Sequence, residues 1–276
     1  MRQNLNQAVV AITGAGSGIG EALALALAKQ GCHLSLSDRD ADRLLSVERA
    51  CQACNPKVRV LATTVDVSDN NAVAAWADAT AAYFPEVNVV INNAGVSLSA
   101  SVESMAQADF EWLMNINFWG VVYGTTAFLP LLKRAKWGHI VNVSSLFGLI
   151  SMPNQSAYNA AKFAVRGFSE SLALELKSSQ SSVSLTCVHP GGVKTNIVND
   201  GRFFDQVGND DSVDVQKQRF NSELAKTTAE DAAKEIIRAI RRNQSRLLVG
   251  RDAKIIDVIQ RLLPSGYKHL VLKLMP

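Results

Sequence analysis

No apolar run in the chain approaches the about eighteen residues that a bilayer-spanning helix needs, and the start, Met1 to Gln7, is polar rather than basic and then apolar. Neither a membrane span nor a secretory signal is expected, and the protein is read as cytoplasmic. Cysteine is scarce. Four residues (Cys32, Cys51, Cys54, Cys187) in a chain of 276 make no disulfide scaffold, and reduced thiols are expected. Cys51 and Cys54 form a Cys-x-x-Cys, but no second such pair and no His-x-x-x-His completes a metal site, so no metal is expected and both are read as helix positions. A surplus of charge is missing too: 28 basic residues face 25 acidic ones and no Lys/Arg block stands out, so nucleic acid is not an expected partner. With no repeat or low-complexity linker, residues 1–276 are read as a single domain, whose 47% hydrophobic content suffices for one substantial core.

What is present is an alternation of short β-rich runs with longer helical ones, the order of a parallel sheet covered by helices on both faces. Strands are expected at Ala8–Ile12, His33–Ser37, Val58–Thr63, Val87–Ile91, His139–Val143, Ser184–Val188 and Arg246–Val249. Helices are expected notably at Ile19–Lys29, Ala72–Tyr83, Phe110–Arg134, Ala157–Lys177 and Ala229–Arg241. Two segments depart from this rhythm. Residues 193–228 are long and rich in Asn, Asp and Gln, which reads as a substrate lid. Residues 253–276 are apolar with interspersed basic residues and break at Pro264-Ser265-Gly266, which suits two short amphipathic helices. This tail is expected to pack on its own subunit or a neighbour; the alternative is weak peripheral contact with a membrane, since lysines border its apolar face.

After the first apolar run comes Thr13-Gly14-Ala15-Gly16-Ser17-Gly18-Ile19-Gly20, followed at once by an alanine- and leucine-rich helix. Glycines let a backbone turn sharply and approach a pyrophosphate closely, while the free N–H groups of a helix start favour negative charge. The spacing, Gly14-xxx-Gly18-x-Gly20, is not the general GxGxxG pattern. Asp38, at the end of the second strand-like run, can accept hydrogen bonds from both hydroxyls of an adenosine ribose and would repel a 2′-phosphate, so NAD is favoured. Arg39 follows and could pair with that phosphate, which leaves NADP as the alternative.

The glycine loop is joined by Asn92-Asn93-Ala94-Gly95, by Tyr158-Asn159-Ala160-Ala161-Lys162 and by Pro190-Gly191, with a Ser-Ser pair thirteen residues before the tyrosine. In order and spacing this resembles the short-chain dehydrogenase/reductase family over about Ala8 to Arg242. The resemblance implies a doubly wound α/β fold of about seven parallel strands and a catalytic tetrad of Asn117, Ser145, Tyr158 and Lys162. Tyr158 and Lys162 lie four apart, on one face of a helix, where the ammonium can stabilise a phenolate. Ser145 would hydrogen-bond the substrate oxygen, and Asn117, chosen over Asn115 for its distance from Gly120, would hold a helix kink and a water leading to the lysine. For the cofactor the resemblance assigns Gly14, Ser17, Gly18, Ile19 and Gly20 as the phosphate loop and Asp38 with Arg39 at the ribose. It adds Asp66 and Val67 at the adenine, Asn93, Ala94 and Gly95 at the adenosine side, Pro190, Gly191, Val193 and Thr195 at the nicotinamide end, with Tyr158 and Lys162 alongside.

The substrate wall is expected from Val96, Leu98, Leu146, Phe147, Leu149, Met152, Val193, Phe203 and Phe204. Nearly all are apolar and no arginine cluster accompanies them, so the expected substrate is a hydrophobic secondary alcohol or ketone. His189 and Cys187, near the nicotinamide end, are read as strand-end packing. Two rival readings keep the fold: a catalytically silent nucleotide sensor, or an epimerase or dehydratase. Family members assemble through the helices bearing Asn117 and Tyr158, which implies a homodimer or homotetramer.

Overall fold

A computed structural model describes residues 3–204, 206–207 and 212–274. Parts of the expected lid (205 and 208–211) and the tip of the tail (275–276) lie outside the described residues.

The main sheet has seven strands, β1 (Val9–Thr13), β2 (His33–Asp38), β3 (Val60–Thr64), β4 (Val89–Asn92), β6 (Gly138–Val143), β7 (Val183–Pro190) and β9 (Arg246–Val249). All pairings are parallel and the order is β3-β2-β1-β4-β6-β7-β9. The fold is therefore doubly wound, with its switch point between β1 and β4, where ligands of such sheets bind. β1 and β4 are buried along their whole length, which is why they read as continuous apolar runs rather than alternating ones.

Helices α1 (Gly18–Lys29), α2 (Ala41–Cys54) and α8 (Ala229–Arg241) share one apolar layer; α3 (Asn70–Tyr83), α5 (Gly120–Arg134) and α6 (Ser156–Ser178) share the other. In the second layer Trp76 packs edge-on against Phe128 at 4.7 Å and donates its indole N–H to Ser35 Oγ at 2.9 Å, so its polar atom is not stranded. Local chemistry fixes the helix starts: Asp40, Asp69 and Thr228 each cap a helix by accepting from its free amides. α1 ends at a left-handed glycine, Gly31, with φ +82.

Three features differ from expectation. α2 is a helix that the apolar pattern does not announce, because only Leu44, Val47 and Cys51 are buried on it. The expected helix from Phe110 to Arg134 is two helices, α4 (Gln107–Met114) and α5, joined by one wide π-turn at Asn115–Trp119. A second, two-stranded parallel sheet joins β5 (Leu98–Ser99) to β8 (Arg202–Phe203), bringing the 193–228 segment, which also holds α7 (Val213–Arg219), back beside the turn after β4. Beyond β9 the tail forms α9 (Arg251–Leu262) and α10 (Tyr267–Leu274). Cys51 and Cys54 are free, and no cluster of three or more metal-ligating side chains occurs among the described residues.

Candidate active site

The carboxyl ends of β1, β2, β4, β6 and β7 meet at one edge of the sheet, and the motifs of the family resemblance lie at or beside it. The loop after β1 is shaped for close approach. Gly14 has φ +64, and a Cβ on it would lie 2.8 Å from the Ala94 backbone. Gly20 has no room for a side chain either, since α1 begins against the carbonyl of Gly14. Asn93 locks this loop by donating from Nδ2 to the carbonyls of Thr13 at 3.0 Å and Gly14 at 3.1 Å. The backbone N–H groups of Asn93 and Ala94 both donate to Thr13 Oγ1, at 2.9 and 3.0 Å.

Ser17 caps α1 without a side-chain hydrogen bond, which leaves the first-turn amides turned to an anion as the helix dipole favours. Beside them Asp38 accepts from Gly16 N–H at 2.8 Å and from Asp40 N–H at 3.0 Å. Arg39 is exposed and has no partner among the described residues. A glycine cradle, an uncapped helix start and a carboxylate at the tip of β2 fit the pyrophosphate and ribose of a dinucleotide. Asp66 is exposed and accepts from Ser68 N–H at 2.9 Å, while Val67 is buried against Gly120.

Asn117 lies inside the π-turn and is fully buried. Its amide clasps Val96, accepting from the N–H at 2.8 Å and donating to the carbonyl at 2.9 Å. The wide turn thus ties α4 and α5 to the strand-end loop Asn92–Val96. A Cβ on Gly95 would lie 3.3 Å from Asn117 Oδ1 and 3.6 Å from Lys162 Nζ, so the glycine leaves the space between these two groups open.

Tyr158 and Lys162 are on the first turns of α6, and Ser145 follows β6 as the cap of a short 3₁₀ turn. Burial pushes the Tyr158 phenol up to about 12, partly opposed by the Ser145 side chain. Lys162 is 3% exposed and burial pulls its ammonium down to about 8. Its Nζ lies 5.6 Å from the centre of the tyrosine ring and donates to the Val143 carbonyl at 3.0 Å. The lysine is therefore beneath the ring and not bonded to its oxygen. Lys162 is not among the groups that lower the phenol, in contrast to the expectation from the four-residue spacing.

His189 explains itself structurally. Its Nδ1 donates to the Ser145 carbonyl at 3.1 Å, anchoring the serine's backbone, and burial lowers the ring to about 4, so it is neutral. Cys187 is buried, and burial pushes its thiol up to about 12, leaving it inert.

Of the expected substrate wall, Phe147 and Met152 keep part of their surface open, and Phe147 meets Tyr158 edge-on at 6.1 Å. Val96 is also partly open. Leu146 and Leu149 do not line the cleft freely: both are buried in a cluster with Ala253 and Tyr267 of the tail helices. Leu98 is buried on β5 among Leu113, Ala157 and Ala161, and Val193 is buried in the core layer of α1 and α8. Phe203 pairs within β8 and lies 5.4 Å from Lys217 Nζ, while Phe204 is exposed. The 193–228 segment is tied down by Arg43 to Asp200 at 2.8 Å and by Arg202 to Asp109 at 2.6 Å.

Two residues that the motifs do not flag organise the same edge. Asn159 donates to the carbonyls of Phe147 and Ile150, both at 2.8 Å, and accepts from Met152 N–H at 3.1 Å, fixing the loop that follows Ser145. Asp252, in the first turn of α9, accepts from Gly192 N–H at 2.7 Å and so pins the Pro190–Thr195 loop from the tail. Its only sequence signal was its place after Gly250, a turn glycine with φ +91.

A sequence profile describing short chain dehydrogenases matches residues 8–203. This chain belongs to the short-chain dehydrogenase/reductase family. SadH of Mycobacterium tuberculosis, named as an oxidoreductase, is 46% identical over 263 residues, covering 95% of this chain and 93% of SadH. Among solved structures, a short-chain dehydrogenase/reductase from Burkholderia phymatum in complex with NAD superposes with a TM-score of 0.86 at 29% identity, over 95% of both chains. An alcohol dehydrogenase from Thermococcus sibiricus complexed with 5-hydroxy-NADP superposes at 0.74 with 25% identity, over 88% of this chain and 95% of that one. The expected fold and family are borne out, and with them an oxidoreductase of this family.

Proposed function

We propose that the chain is an NAD-dependent oxidoreductase that interconverts a hydrophobic secondary alcohol and its ketone, with Tyr158 as the acid/base. The observation that carries this reading is the meeting of Ser145, Tyr158 and buried Lys162 beside a glycine cradle that ends in Asp38. A nicotinamide dinucleotide held by that cradle would supply the hydride chemistry at the substrate carbon. Ser145 donates a hydrogen bond to the substrate oxygen and holds it against Tyr158. In reduction the Tyr158 hydroxyl gives its proton to that oxygen; in oxidation the phenolate takes it back. Lys162, its ammonium at about 8, lies beneath the ring, and in oxidation its charge stabilises the phenolate once that forms. Asn117 keeps the helix open at this point through its clasp on Val96. Phe147, Met152 and Val96 supply the apolar contact that selects a hydrophobic substrate.

Asp38 supports NAD over NADP because a 2′-phosphate would meet a carboxylate already oriented by two backbone amides. A paired fluorescence titration of NADH and NADPH tests this without a substrate. NADH should bind at least about tenfold more tightly, and Asp38→Ser should erase the difference. Tighter NADPH binding would assign the ribose site to Arg39; binding of neither would remove the dinucleotide reading. We place the enzyme in the cytoplasm as a homo-oligomer joined through α5 and α6, whose Trp119 junction and Phe163 are exposed.

A further inference from the structure

At the free edge of the sheet, beside β9, lies a groove of about 340 Å³ walled by α8, β9 and α9. Five cations line it, Arg238 from α8 and Arg242 just after it, Arg246 from β9, and Lys254 and Arg261 from α9, against two carboxylates, Glu235 and Asp257. Five against two leaves three positive charges, equal to the formal net charge of the whole chain, although no basic block exists in the sequence. Both carboxylates are already engaged: Glu235 pairs with Lys254 at 3.2 Å, and Asp257 with Arg246 at 2.6 Å and Arg261 at 3.0 Å. Arg238 and Arg242 are exposed without a partner among the described residues, and Arg246 Nε is buried with no acceptor. The groove thus carries an excess of positive charge.

The same helix α9 carries an apolar ridge. Ile255, Val258 and Leu262 follow the i, i+3, i+7 spacing of one helical face and are 56%, 54% and 75% exposed. At 100° per residue, Lys254 and Arg261 stand within about a quarter turn of that ridge, so the cations and the apolar face form one continuous surface. Leu263, Leu270 and Leu272 are exposed in the same tail.

The occupant must satisfy both halves. A second copy of the chain docked about a two-fold axis would set the groove against itself, cation on cation. A soluble anion would leave the ridge in water. No described helix is long and apolar enough to cross a membrane, so the contact would be at a membrane's surface. We propose that α9 and the groove beside it form a docking surface for an anionic lipid bilayer, with lipid phosphates in the groove and the ridge in the headgroup and acyl boundary. Such surfaces draw on buried apolar area and on basic residues near the charged leaflet together.

The test is cosedimentation of the full-length protein with vesicles of phosphatidylcholine alone and with about a third phosphatidylglycerol. Wild type should partition at least about tenfold more strongly to the anionic vesicles, and about 0.5 M salt should abolish the preference. R238S/R242S and I255S/V258S/L262S, each shown to unfold like the parent on heating, should each lose about tenfold. Binding to neither vesicle, equal binding to both, or unchanged binding by either variant would overturn the proposal. So would a lower sedimentation mass of the ridge variant without lipid, which would assign the ridge to a second copy. Inorganic polyphosphate that displaces wild type from vesicles while the ridge variant still binds them fully would assign the groove to a soluble anion and also overturn it. No substrate or coenzyme enters the readout, so its failure is separate from any failure of the proposed reaction.

Discussion

His139 and His189 have no exposed surface, and burial lowers each ring from its ordinary 6.5 to about 4. Between about pH 4 and 6.5 the unfolded chain binds protons that the folded chain refuses, so stability rises with pH across that window and falls as pH drops through it. Each histidine accounts for about 3 kcal/mol at most. Urea unfolding at several pH values should show this slope, and His139→Gln should remove about half of it; a flat profile from about pH 6.5 to 4 would refute the assignment. Lys162 has the same sign at higher pH, since its ammonium is lowered to about 8 and stability rises again above that. At this scale the sequence was most legible where spacing alone places groups together, as for Tyr158 and Lys162 on one helix face. It was least legible where a side chain has two faces to choose from. Leu146 and Leu149 follow the serine, yet Ala253 and Tyr267, more than a hundred residues away, draw them into a buried cluster.

Among elements, the central strands β1 and β4 were the most readable because parallel strands buried on both faces are nearly continuous apolar runs, even though β3 and β4 each begin two residues later than their patterns suggest. The π-turn at Asn115–Trp119 was absent from the helical pattern and was implied only by the kink that the family resemblance assigns to Asn117, because it comes with the Asn117 clasp on Val96, a contact across 21 residues. The β5–β8 pair was hidden for the same reason: two residues on each side carry no periodicity. Asp252 shows how a tail element can act on the site. Its bond to Gly192 N–H holds the loop assigned to the nicotinamide end, far from the adenosine side. Asp252→Ala should therefore weaken NADH binding about tenfold while ADP-ribose, which lacks the nicotinamide, binds as before, and Asp252→Asn, which keeps an acceptor oxygen, should recover most of the loss. Equal weakening of both ligands would mean that Asp252 only supports the fold.

Over the whole molecule, the doubly wound order follows from the alternation of elements, but the surface charge does not. The cations beside β9 come from two helices and a strand and gather only in the fold. That gathering bears on assembly. A like-charged groove discourages pairing of this sheet edge with its own copy, whereas Phe163 on α6 and Trp119 at the turn before α5 are exposed aromatics away from it. We expect a dimer rather than a tetramer: equilibrium sedimentation should give twice the chain mass, and Phe163→Glu should give one chain. A tetramer would mean that the β9 edge is also covered by protein.

The reading of the whole site rests on Tyr158 as the group that moves the proton. The direct measurement is turnover and NADH affinity of Tyr158→Phe beside the parent enzyme, with a hydrophobic ketone that the parent reduces. The ring and its packing against Phe147 remain in this variant and only the hydroxyl is lost. Turnover should fall by about a thousandfold or more with NADH binding within about twofold of the parent. Turnover near the parental rate, with NADH still bound, would show that another group carries the proton and would contradict the account.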